Sequence, residues 1–382
     1  MRFSVDAHAI GCKLTGNEVY VRNLIASLAS LDHDAELIAY MSAADVNGWV
    51  PPSIRHHTIA RNPFLRLGYD LSRSLRRDRP DLVHVQYTAP LACPVPVVVS
   101  VHDVSFLEHP DYFRFFRGSQ LRLTVQRTVH MAARVITGSE FSRASIARAY
   151  HLNPDAIAVV PNAAASSFRP VDRAAAGRHV LLRFGIPEPF VLTVGDLQPR
   201  KNQIGLIRAF ARMVRESPQL GHRLVIAGKD TWYAPSVREA ARVSGVADRI
   251  HFTGFVADQD LLMLYGACDM FAFPSFYEGF GLPILEAMAC GRAVACSNTS
   301  ALPEVADAAA IFFDPQSEEE IARAMADLLL DPELRSRMEK LGLNRAARFS
   351  WRDTAEKTLT VYHQVVGHRQ GRPVSVAPAV RL

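Results

Sequence analysis

The stretch Glu278-Gly-Phe-Gly-Leu-Pro-Ile-Leu-Glu-Ala-Met-Ala-Cys-Gly291 follows an apolar strand pattern at 270–274. Its first glycines predict a loop. Pro283 predicts the first turn of a short helix, because the N–H group that proline lacks would have no helical partner there. Gly291 predicts the end of that helix. The segment should therefore present a helix N-terminus at a strand end, where backbone N–H groups bind phosphates and hydroxyls.

Two acidic residues make this segment a candidate ligand site. Glu278 precedes the helix start, and Glu286 lies about one turn past the proline. A carboxylate in such a position can accept hydrogen bonds from both hydroxyls of a vicinal diol. The backbone amides of Phe280, Gly281 and Leu282 would bind a phosphate or a sugar. The pattern is typical of a nucleotide-sugar site.

A second segment predicts contacts to phosphate. Residues 190–202 are typical of a strand, a glycine turn and two adjacent cations, Arg200 and Lys201, that open a helix. Open α/β sheets bind ligands at the C-terminal ends of their strands, so both segments should lie at the same edge. Arginine can hold two phosphate oxygens while lysine acts as a point charge. The alternative is a surface pair, which the shared position at strand ends disfavours.

The whole chain alternates between short strands and amphipathic helices. Its 382 residues, 49% of them hydrophobic, allow two domains with full cores. Near-continuous apolar strands such as 95–101 are typical of a parallel sheet covered on both faces. The pattern predicts an α/β fold with two doubly wound, Rossmann-like domains. Strands are predicted at 3–6, 36–41, 56–60, 82–86, 95–101, 135–138, 158–160, 190–194, 224–227, 250–253, 270–273, 293–296 and 310–313.

The domain boundaries are expected where this alternation is interrupted. Polar, alanine-rich and proline-flanked sequence at 163–189 separates the two series of strands. We therefore assign 1–170 to an N-terminal domain and 171–350 to a C-terminal domain. A last helical pattern covers 351–370, and 371–382 is expected to be a mobile tail.

Cysteine spacing and acidic pairs give no sign of a metal site. The five cysteines are scattered without a Cys-x-x-Cys pair, so we expect reduced core residues and no zinc. Asp258-x-Asp260 precedes a leucine-rich pattern and is interpreted as a helix cap. No apolar run reaches ~18 residues, and the first strand pattern begins without a leader. We expect a cytoplasmic protein.

The net charge of +5 is carried mostly by arginines in the first half of the chain. Two interpretations stay open. One is a solvated helix face whose long side chains cover apolar surface. The other is a surface that contacts anionic lipid head groups at the inner face of the membrane. Nucleic acid is a weaker alternative, because no nucleic-acid motif accompanies the charge. The residues concerned are Arg73, Arg76, Arg77, Arg79, Arg114, Arg117, Arg122 and Arg127, the last four interleaved with Tyr112, Phe113, Phe115 and Phe116.

Taken together, these segments resemble the retaining glycosyltransferases of family 4, which have the GT-B fold of two facing Rossmann domains. The resemblance covers the chain up to the tail and implies that the helix at 351–370 returns to the N-terminal domain. Its most specific motif is E-x7-E opening at Glu278. The others are V-G-D-L-Q-P-R-K-N at 194–202, H-F-T-G-F-V at 251–256, T-G-N-E-V-Y-V-R-N-L at 15–24 and V-H-D-V-S-F at 101–106.

The resemblance implies a role for each candidate residue. In the C-terminal domain, Glu286 would bind the ribose of the donor, Glu278 the sugar hydroxyls, Arg200 with Lys201 the diphosphate, and the backbone of Val256 the base. The N-terminal domain would hold the acceptor. There Gly16 would lie in the first strand-to-helix connection, while His102 and Asp103 would end a central strand.

The implied reaction is metal-independent and needs no cofactor. A hexose, with mannose from GDP-mannose expected, would pass from a nucleoside-diphosphate sugar to a saccharide or lipid-linked acceptor by front-face substitution with retention. A nucleotide-sugar epimerase on the same scaffold and a non-catalytic nucleotide-sugar-binding paralogue remain alternatives. A dinucleotide dehydrogenase is disfavoured, because no strand is followed by G-x-G-x-x-G.

Overall fold

The computed structural model describes residues 1–12, 15–42 and 50–369. The tail expected at 371–382 lies outside these described residues. The chain divides into two compact units. The first comprises 1–138, 142–162 and the segment from 351 onward, and the second comprises 139–141 and 163–350.

The described part of the first unit contains one parallel sheet of seven strands. The strands are β1 (Arg2–Asp6), β2 (Glu36–Met41), β3 (Arg55–Thr58), β4 (Leu82–Gln86), β5 (Val97–Ser100), β6 (Arg134–Thr137) and β7 (Ile157–Val159). The helices are α1 (Thr15–Ser30), α2 (Pro63–Leu65), α3 (Leu71–Asp78), α4 (Ser105–Glu108), α5 (Phe115–Met131) and α6 (Glu140–Tyr150). The strand order β3-β2-β1-β4-β5-β6-β7 reverses direction between β1 and β4.

The second unit contains a parallel sheet of six strands within the described residues. The strands are β8 (Phe190–Val194), β9 (Arg223–Ala227), β10 (Ile250–Gly254), β11 (Met270–Phe273), β12 (Ala293–Ser297) and β13 (Ala310–Phe313). The helices are α7 (Arg173–Phe184), α8 (Gln203–Glu216), α9 (Ala234–Arg242), α10 (Asp258–Ala267), α11 (Leu282–Ala289), α12 (Leu302–Ala306), α13 (Glu318–Leu330) and α14 (Pro332–Ala346). The order β10-β9-β8-β11-β12-β13 has its switch point between β8 and β11, where doubly wound sheets bind ligands.

Both faces of the second sheet are covered by apolar packing. Phe190 and Leu192 belong to one buried cluster, and Val191 between them belongs to the other. This follows from the two-residue period of a strand, which sends successive side chains to opposite faces. A sheet buried on both sides explains the near-continuous apolar strands of the sequence.

The last helix, α15 (Trp351–Arg369), belongs to the first unit. Its Tyr362 hydroxyl lies 2.7 Å from Nδ1 of His84 on β4. The other ring nitrogen of His84 lies 2.7 Å from the Ser100 hydroxyl, which in turn lies 2.9 Å from the Tyr20 hydroxyl. Burial, aided by the charge of His102, lowers the pKa of His84 to about 3. A buried, neutral hydrogen-bond network therefore ties α15 to the sheet.

The two-domain α/β prediction is confirmed. Each of the thirteen predicted strands is present, with ends within two residues of the prediction. The segment at 163–189 differs, because it contains helix α7. The Asp172 side chain caps this helix by accepting from the Ala175 N–H group at 2.8 Å, and Gly185 ends it at φ 68°. The alanine-rich sequence therefore forms a helix that buries Ala176 and Val180. It does not interrupt the alternation of strands and helices.

We predict that Tyr362→Phe lowers the free energy of unfolding by about 1–3 kcal/mol, because it removes a hydrogen-bond partner from a buried histidine nitrogen. Urea denaturation followed by circular dichroism measures the change. Tyr69→Phe is the matched control, since Tyr69 is 61% exposed, and should shift stability by less than ~0.5 kcal/mol. Equal effects of the two substitutions would contradict the prediction.

Candidate active site

The loop after β8 places two cations at the switch point of the second sheet. A short 3-10 turn covers Pro199–Lys201 and is followed by Asn202 in the left-handed conformation at φ 51°. The Asn202 side chain accepts from the Gly205 N–H group at 3.2 Å and so caps α8. Proline fixes the backbone at the start of the turn, and asparagine adopts the left-handed conformation at its end more readily than most residues. Arg200 and Lys201 are held immediately before a helix N-terminus.

The loop after β11 has the predicted form. Gly281 precedes α11 with φ 105°, and a Cβ atom at this position would lie 2.7 Å from the Leu302 Cδ2 atom. Pro283 is the second residue of α11, and Gly291 follows its end at φ 72° with its N–H group donating to Met288 at 2.9 Å. The predicted helix start and helix end are both confirmed.

Glu278 joins the two loops through a buried ion triad. Its Oε1 atom lies 2.6 Å from Lys201 Nζ, and its Oε2 atom lies 3.0 Å from Arg200 Nη1. The same Arg200 nitrogen donates to the Tyr277 carbonyl oxygen at 3.2 Å. Glu278 and Lys201 are buried. The structure thus brings together three residues that the sequence placed in two separate segments.

The charges in this triad determine its protonation. Burial alone would raise the pKa of Glu278, but the charges of Arg200 and Lys201 outweigh burial and lower that pKa to about 2. Burial lowers the pKa of Lys201, and the charge of Glu278 opposes that shift. With all three groups ionised, the triad carries one positive charge in excess.

Two further residues support the triad and were missed by the sequence analysis. The Ser300 hydroxyl accepts from the Glu278 N–H group at 3.0 Å, and Ser300 itself is left-handed at φ 56°. The Lys201 ammonium lies 4.7 Å from the centre of the Phe273 ring, within the range of a cation–π contact. Phe273 ends strand β11, so only its position beside the predicted site could have marked it.

Phe280 and Gly281 immediately precede α11, and Leu282 is its first residue. Among the turn, loop and cap hydrogen bonds of the described part of the chain, none uses the N–H groups of these three residues as donors. The macrodipole of α11 favours negative charge at this end. The N-terminus of α11 therefore follows Glu278 of the triad by a few residues, and the binding role of its N–H groups stays a prediction.

Glu286 lies in the middle of α11 and is buried. Its Oε2 atom accepts a hydrogen bond from the Tyr265 hydroxyl of α10 at 3.0 Å. Burial and the charge of Glu286 raise the pKa of Tyr265 well above its ordinary value, so this hydroxyl stays a donor. Tyr265 fixes one oxygen of the carboxylate, a positioning contact that the sequence analysis did not identify.

Val256 follows β10 by two residues and is partly buried against the apolar cluster under α10 and α11. Phe255 beside it is 49% exposed. The backbone next to this loop is closely packed. A side chain at Gly228 would not fit, because its Cβ atom would overlap the Gly195 carbonyl oxygen. The ends of β8, β9 and β10 are therefore held close together.

His102 of the first unit lies two residues past β5 and is partly buried. Its Nε2 atom is 3.3 Å from the Gln86 amide oxygen, and its ring contacts the Tyr20 ring edge-on at 4.6 Å. Burial lowers the pKa of His102 to about 4, although the charge of Asp103 opposes the shift. With this pKa the imidazole is neutral and only weakly basic at pH 7. That low basicity suits a hydrogen-bonding role better than the role of a proton acceptor.

Asp103 and Gly16 occupy local positions in the same unit. One oxygen of Asp103 accepts from the Ser105 N–H group at 2.9 Å and from its hydroxyl at 2.6 Å, which stabilises the start of α4. Gly16 lies just inside α1, not in the connection before it, because the helix already begins at Thr15. Gly16 is exposed, with no atom within 4 Å of an added Cβ.

The acidic pair at 258 and 260 lies in the first turn of α10, whose cap residue is Ala257. The interpretation of the pair as the cap itself is therefore wrong by one residue. Asp260 pairs with His179 at 2.7 Å and with Arg183 at 3.5 Å. A search of the described residues finds no cluster of three or more histidine, cysteine or acidic side chains that could hold a metal ion.

Two family models match the chain. The model of group 1 glycosyl transferases matches residues 183–345, and that of glycosyltransferase family 4 matches residues 14–166. The O-antigen chain mannosyltransferase B of Escherichia coli is 32% identical over 266 residues, 69% of this chain and 69% of that protein. The serotype-specific mannosyltransferase WbdA of Escherichia coli is 33% identical over 205 residues, 52% of this chain. The chain spans only 24% of the length of WbdA in that match.

A solved structure shares the fold. The crystal structure of Anabaena HepE in complex with UDP and glucose has a TM-score of 0.76 and 20% identity, covering 95% of this chain and 99% of that one. The fold and site thus define a glycosyltransferase of the GT-B class. The chain belongs to the group 1 glycosyltransferases, with a family 4 N-terminal region, and is a hexosyltransferase.

None of the helices in the described ranges has the length and apolar character needed to span a bilayer.

We predict that Glu278→Gln lowers the free energy of unfolding by about 3–5 kcal/mol at pH 7, because it leaves the buried Lys201 ammonium without its counter-charge. Denaturation in urea measures this difference. Glu239→Gln is the control, since Glu239 forms a surface pair with Arg242 at 2.6 Å that water screens, and its loss should leave the stability nearly unchanged.

The same difference should depend on pH. The folded pKa of Glu278, about 2, lies below the ordinary value of 4.5. Its stabilisation is therefore complete above pH 4.5 and is lost as the pH falls towards 2. The gap between wild type and Glu278→Gln should narrow over that window. A gap that stays constant would contradict the assigned protonation.

Proposed function

We propose that the protein is a retaining glycosyltransferase that transfers a hexose from a nucleoside-diphosphate sugar to a saccharide or lipid-linked acceptor. The observation that carries the proposal is the triad of Arg200, Lys201 and Glu278, the last of which lies in the loop that leads into the N-terminus of α11. Its excess positive charge and its N–H donors match a diphosphate. The mannosyltransferase relatives favour mannose as the sugar. We propose GDP as its carrier.

In the proposed complex each charged group has a distinct role. Arg200 and Lys201 bind the diphosphate. Glu286, whose Oε2 atom also accepts from the Tyr265 hydroxyl, accepts hydrogen bonds from the ribose hydroxyls. Glu278 contacts hydroxyls of the transferred sugar, which is compatible with its ion pairs because each carboxylate oxygen has two lone pairs. Val256 offers backbone groups to the base, and the phosphate-facing amides belong to Phe280, Gly281 and Leu282.

The proposed reaction breaks the bond between the anomeric carbon and the β-phosphate oxygen. Negative charge develops on that phosphate, so the preorganised cations and amides stabilise the transition state more than the bound donor. The acceptor hydroxyl attacks from the face that the phosphate leaves, and its proton passes to the departing phosphate oxygen. This route retains the anomeric configuration without a metal or a covalent intermediate. His102 would hydrogen-bond the transferred sugar, with Asp103 in the loop beside it and Gly16 in the first turn of α1.

The acceptor and the location belong to the same proposal. The O-antigen relative favours a growing polysaccharide or a lipid-linked saccharide as acceptor. We propose that the protein acts in the cytoplasm.

A ligand panel tests the donor site, since a ligand that binds the native state raises its unfolding temperature. Wild-type protein is compared with UDP, GDP, ADP, their sugars and inorganic pyrophosphate. Arg200→Gln should weaken binding of the preferred nucleotide and of pyrophosphate at least tenfold, because both use the diphosphate contacts. Glu286→Gln should weaken the nucleotide alone, because pyrophosphate has no ribose. Arg212→Gln, an exposed arginine paired with Glu216 at 2.7 Å, is the control.

Identical losses of nucleotide and pyrophosphate affinity in Glu286→Gln would contradict the ribose assignment. Unchanged affinity for both ligands in Arg200→Gln would contradict the phosphate site.

The rate of sugar transfer should also depend on the two cations. Arg200→Gln and Lys201→Ala should each lower kcat by about 10²–10³-fold, since removing one preorganised donor costs about 2.7–4 kcal/mol of barrier. Mass spectrometry of a glycosylated acceptor and release of the nucleoside diphosphate measure the rate. Circular dichroism checks the fold of each variant, because Lys201 also stabilises Glu278. Rearrangement of the donor sugar without acceptor would instead identify an epimerase.

A further inference from the structure

The outer face of α5 carries two large apolar side chains among its polar residues. Phe116 is 87% exposed and Leu123 is 70% exposed. Seven residues separate them, so they lie within about 20° of each other around the helix. The opposite face carries Val125 and Val129, which are buried in the core of the first unit. The two exposed side chains therefore point away from the core.

Arginines flank this apolar stripe. Arg117 and Arg122 are exposed and lie on its two sides, about 100° and about 120° from Phe116. Arg114 is exposed at the start of the helix. No acidic residue occurs between Asp111 and Glu140 in the sequence. The helix presents positive charge around an apolar centre, with no acidic side chain of its own.

A second exposed apolar segment is fixed beside α5. The Arg127 guanidinium donates to the carbonyl oxygens of Ala89, Pro90 and Leu91 at 3.3, 2.9 and 2.7 Å. The Leu91 N–H group donates in turn to the Leu67 carbonyl oxygen at 2.8 Å. These bonds join α5, the loop at 89–91 and the helical segment at 63–70 into one surface.

The joined segments enlarge the apolar area. Leu91 is 67% exposed, Phe64 is 79% exposed, and Leu65 and Tyr69 are each 61% exposed. We call this set, with Phe116 and Leu123, the N-terminal apolar surface. Six large apolar side chains exposed on hydrogen-bonded neighbouring segments are unusual on a protein that meets only water, and such groups mark a contact with a partner or a membrane.

We propose that the N-terminal apolar surface binds an anionic lipid bilayer, with the apolar side chains inserted among the head groups and the arginines paired with lipid phosphates. Aromatic and leucine side chains flanked by arginine are the composition of helices that lie in a membrane interface. Exposed arginines on a helix that contains no acidic residue are attracted to anionic lipids. The exposure of Phe116 and Leu123 between these arginines favours this interpretation over a solvated helix. The proposal does not depend on the proposed transfer reaction.

The test uses the full-length chain and sedimentation with large vesicles. Wild-type protein should bind vesicles in which about a third of the lipid is phosphatidylglycerol more tightly than vesicles of phosphatidylcholine alone. The double variant Phe116→Ser/Leu123→Ser should bind at least tenfold more weakly. Arg117→Gln and Arg122→Gln should each weaken binding to the anionic vesicles about fivefold.

Two controls separate insertion from other causes. Leu182→Ser alters a leucine of α7 that is also 87% exposed but lies outside the surface, and it should bind like wild type. The emission of Phe116→Trp should shift to shorter wavelength with anionic vesicles, because the indole leaves water. All substituted positions are exposed, so the variants should keep the wild-type unfolding temperature.

Three results would overturn the proposal. Wild-type protein could fail to sediment with anionic vesicles, or the Phe116→Ser/Leu123→Ser variant could bind as tightly as wild type. In analytical ultracentrifugation, wild-type protein could form a dimer that this variant abolishes, with no vesicle binding by either. That last result would assign the surface to a second copy of the chain.

Discussion

One buried carboxylate holds together the two loops on which the proposed donor site depends. Glu278 lies in the loop after β11, and its partners Lys201 and Arg200 lie 77 and 78 residues earlier in the loop after β8. Separating them would leave a charge buried without its counter-charge, which costs several kcal/mol. Each loop is therefore fixed by the other, and the position of Arg200 and Lys201 is set before any ligand binds.

This arrangement has a consequence for catalysis. A diphosphate that reaches the site finds cations already oriented, so little free energy is spent on moving them during the reaction. Glu278 reduces the net charge of the cluster, which limits how tightly the nucleoside diphosphate product is held. The excess positive charge that remains still favours an anion. A transferase needs both properties, because it must stabilise a developing phosphate charge and then release the product.

Local sequence signals predicted the fold and the two loops that form the candidate site. Strand ends were predictable because apolar runs, glycines and prolines act over a few residues, and α11 had both its Pro283 and Gly291 signals. Interactions across the sequence were not predictable in this way. The pairing of Glu278 with both cations, the Tyr265 contact to Glu286 and the Ser300 contact all join distant residues. Helix α7 was missed because alanine-rich composition was interpreted as an interruption, although its caps are local.

The candidate groups of the two units differ in charge in a way that fits the proposed reaction. In the second unit, the ionised groups of the triad compensate one another, and the site keeps a positive charge. In the first unit, burial keeps His102 neutral at pH 7, although the same unit also buries the carboxylates of Asp6 and Asp78. A neutral imidazole suits sugar hydroxyls, which carry no charge and both donate and accept. The triad therefore matches a charged diphosphate in its chemistry, and His102 matches an uncharged hydroxyl.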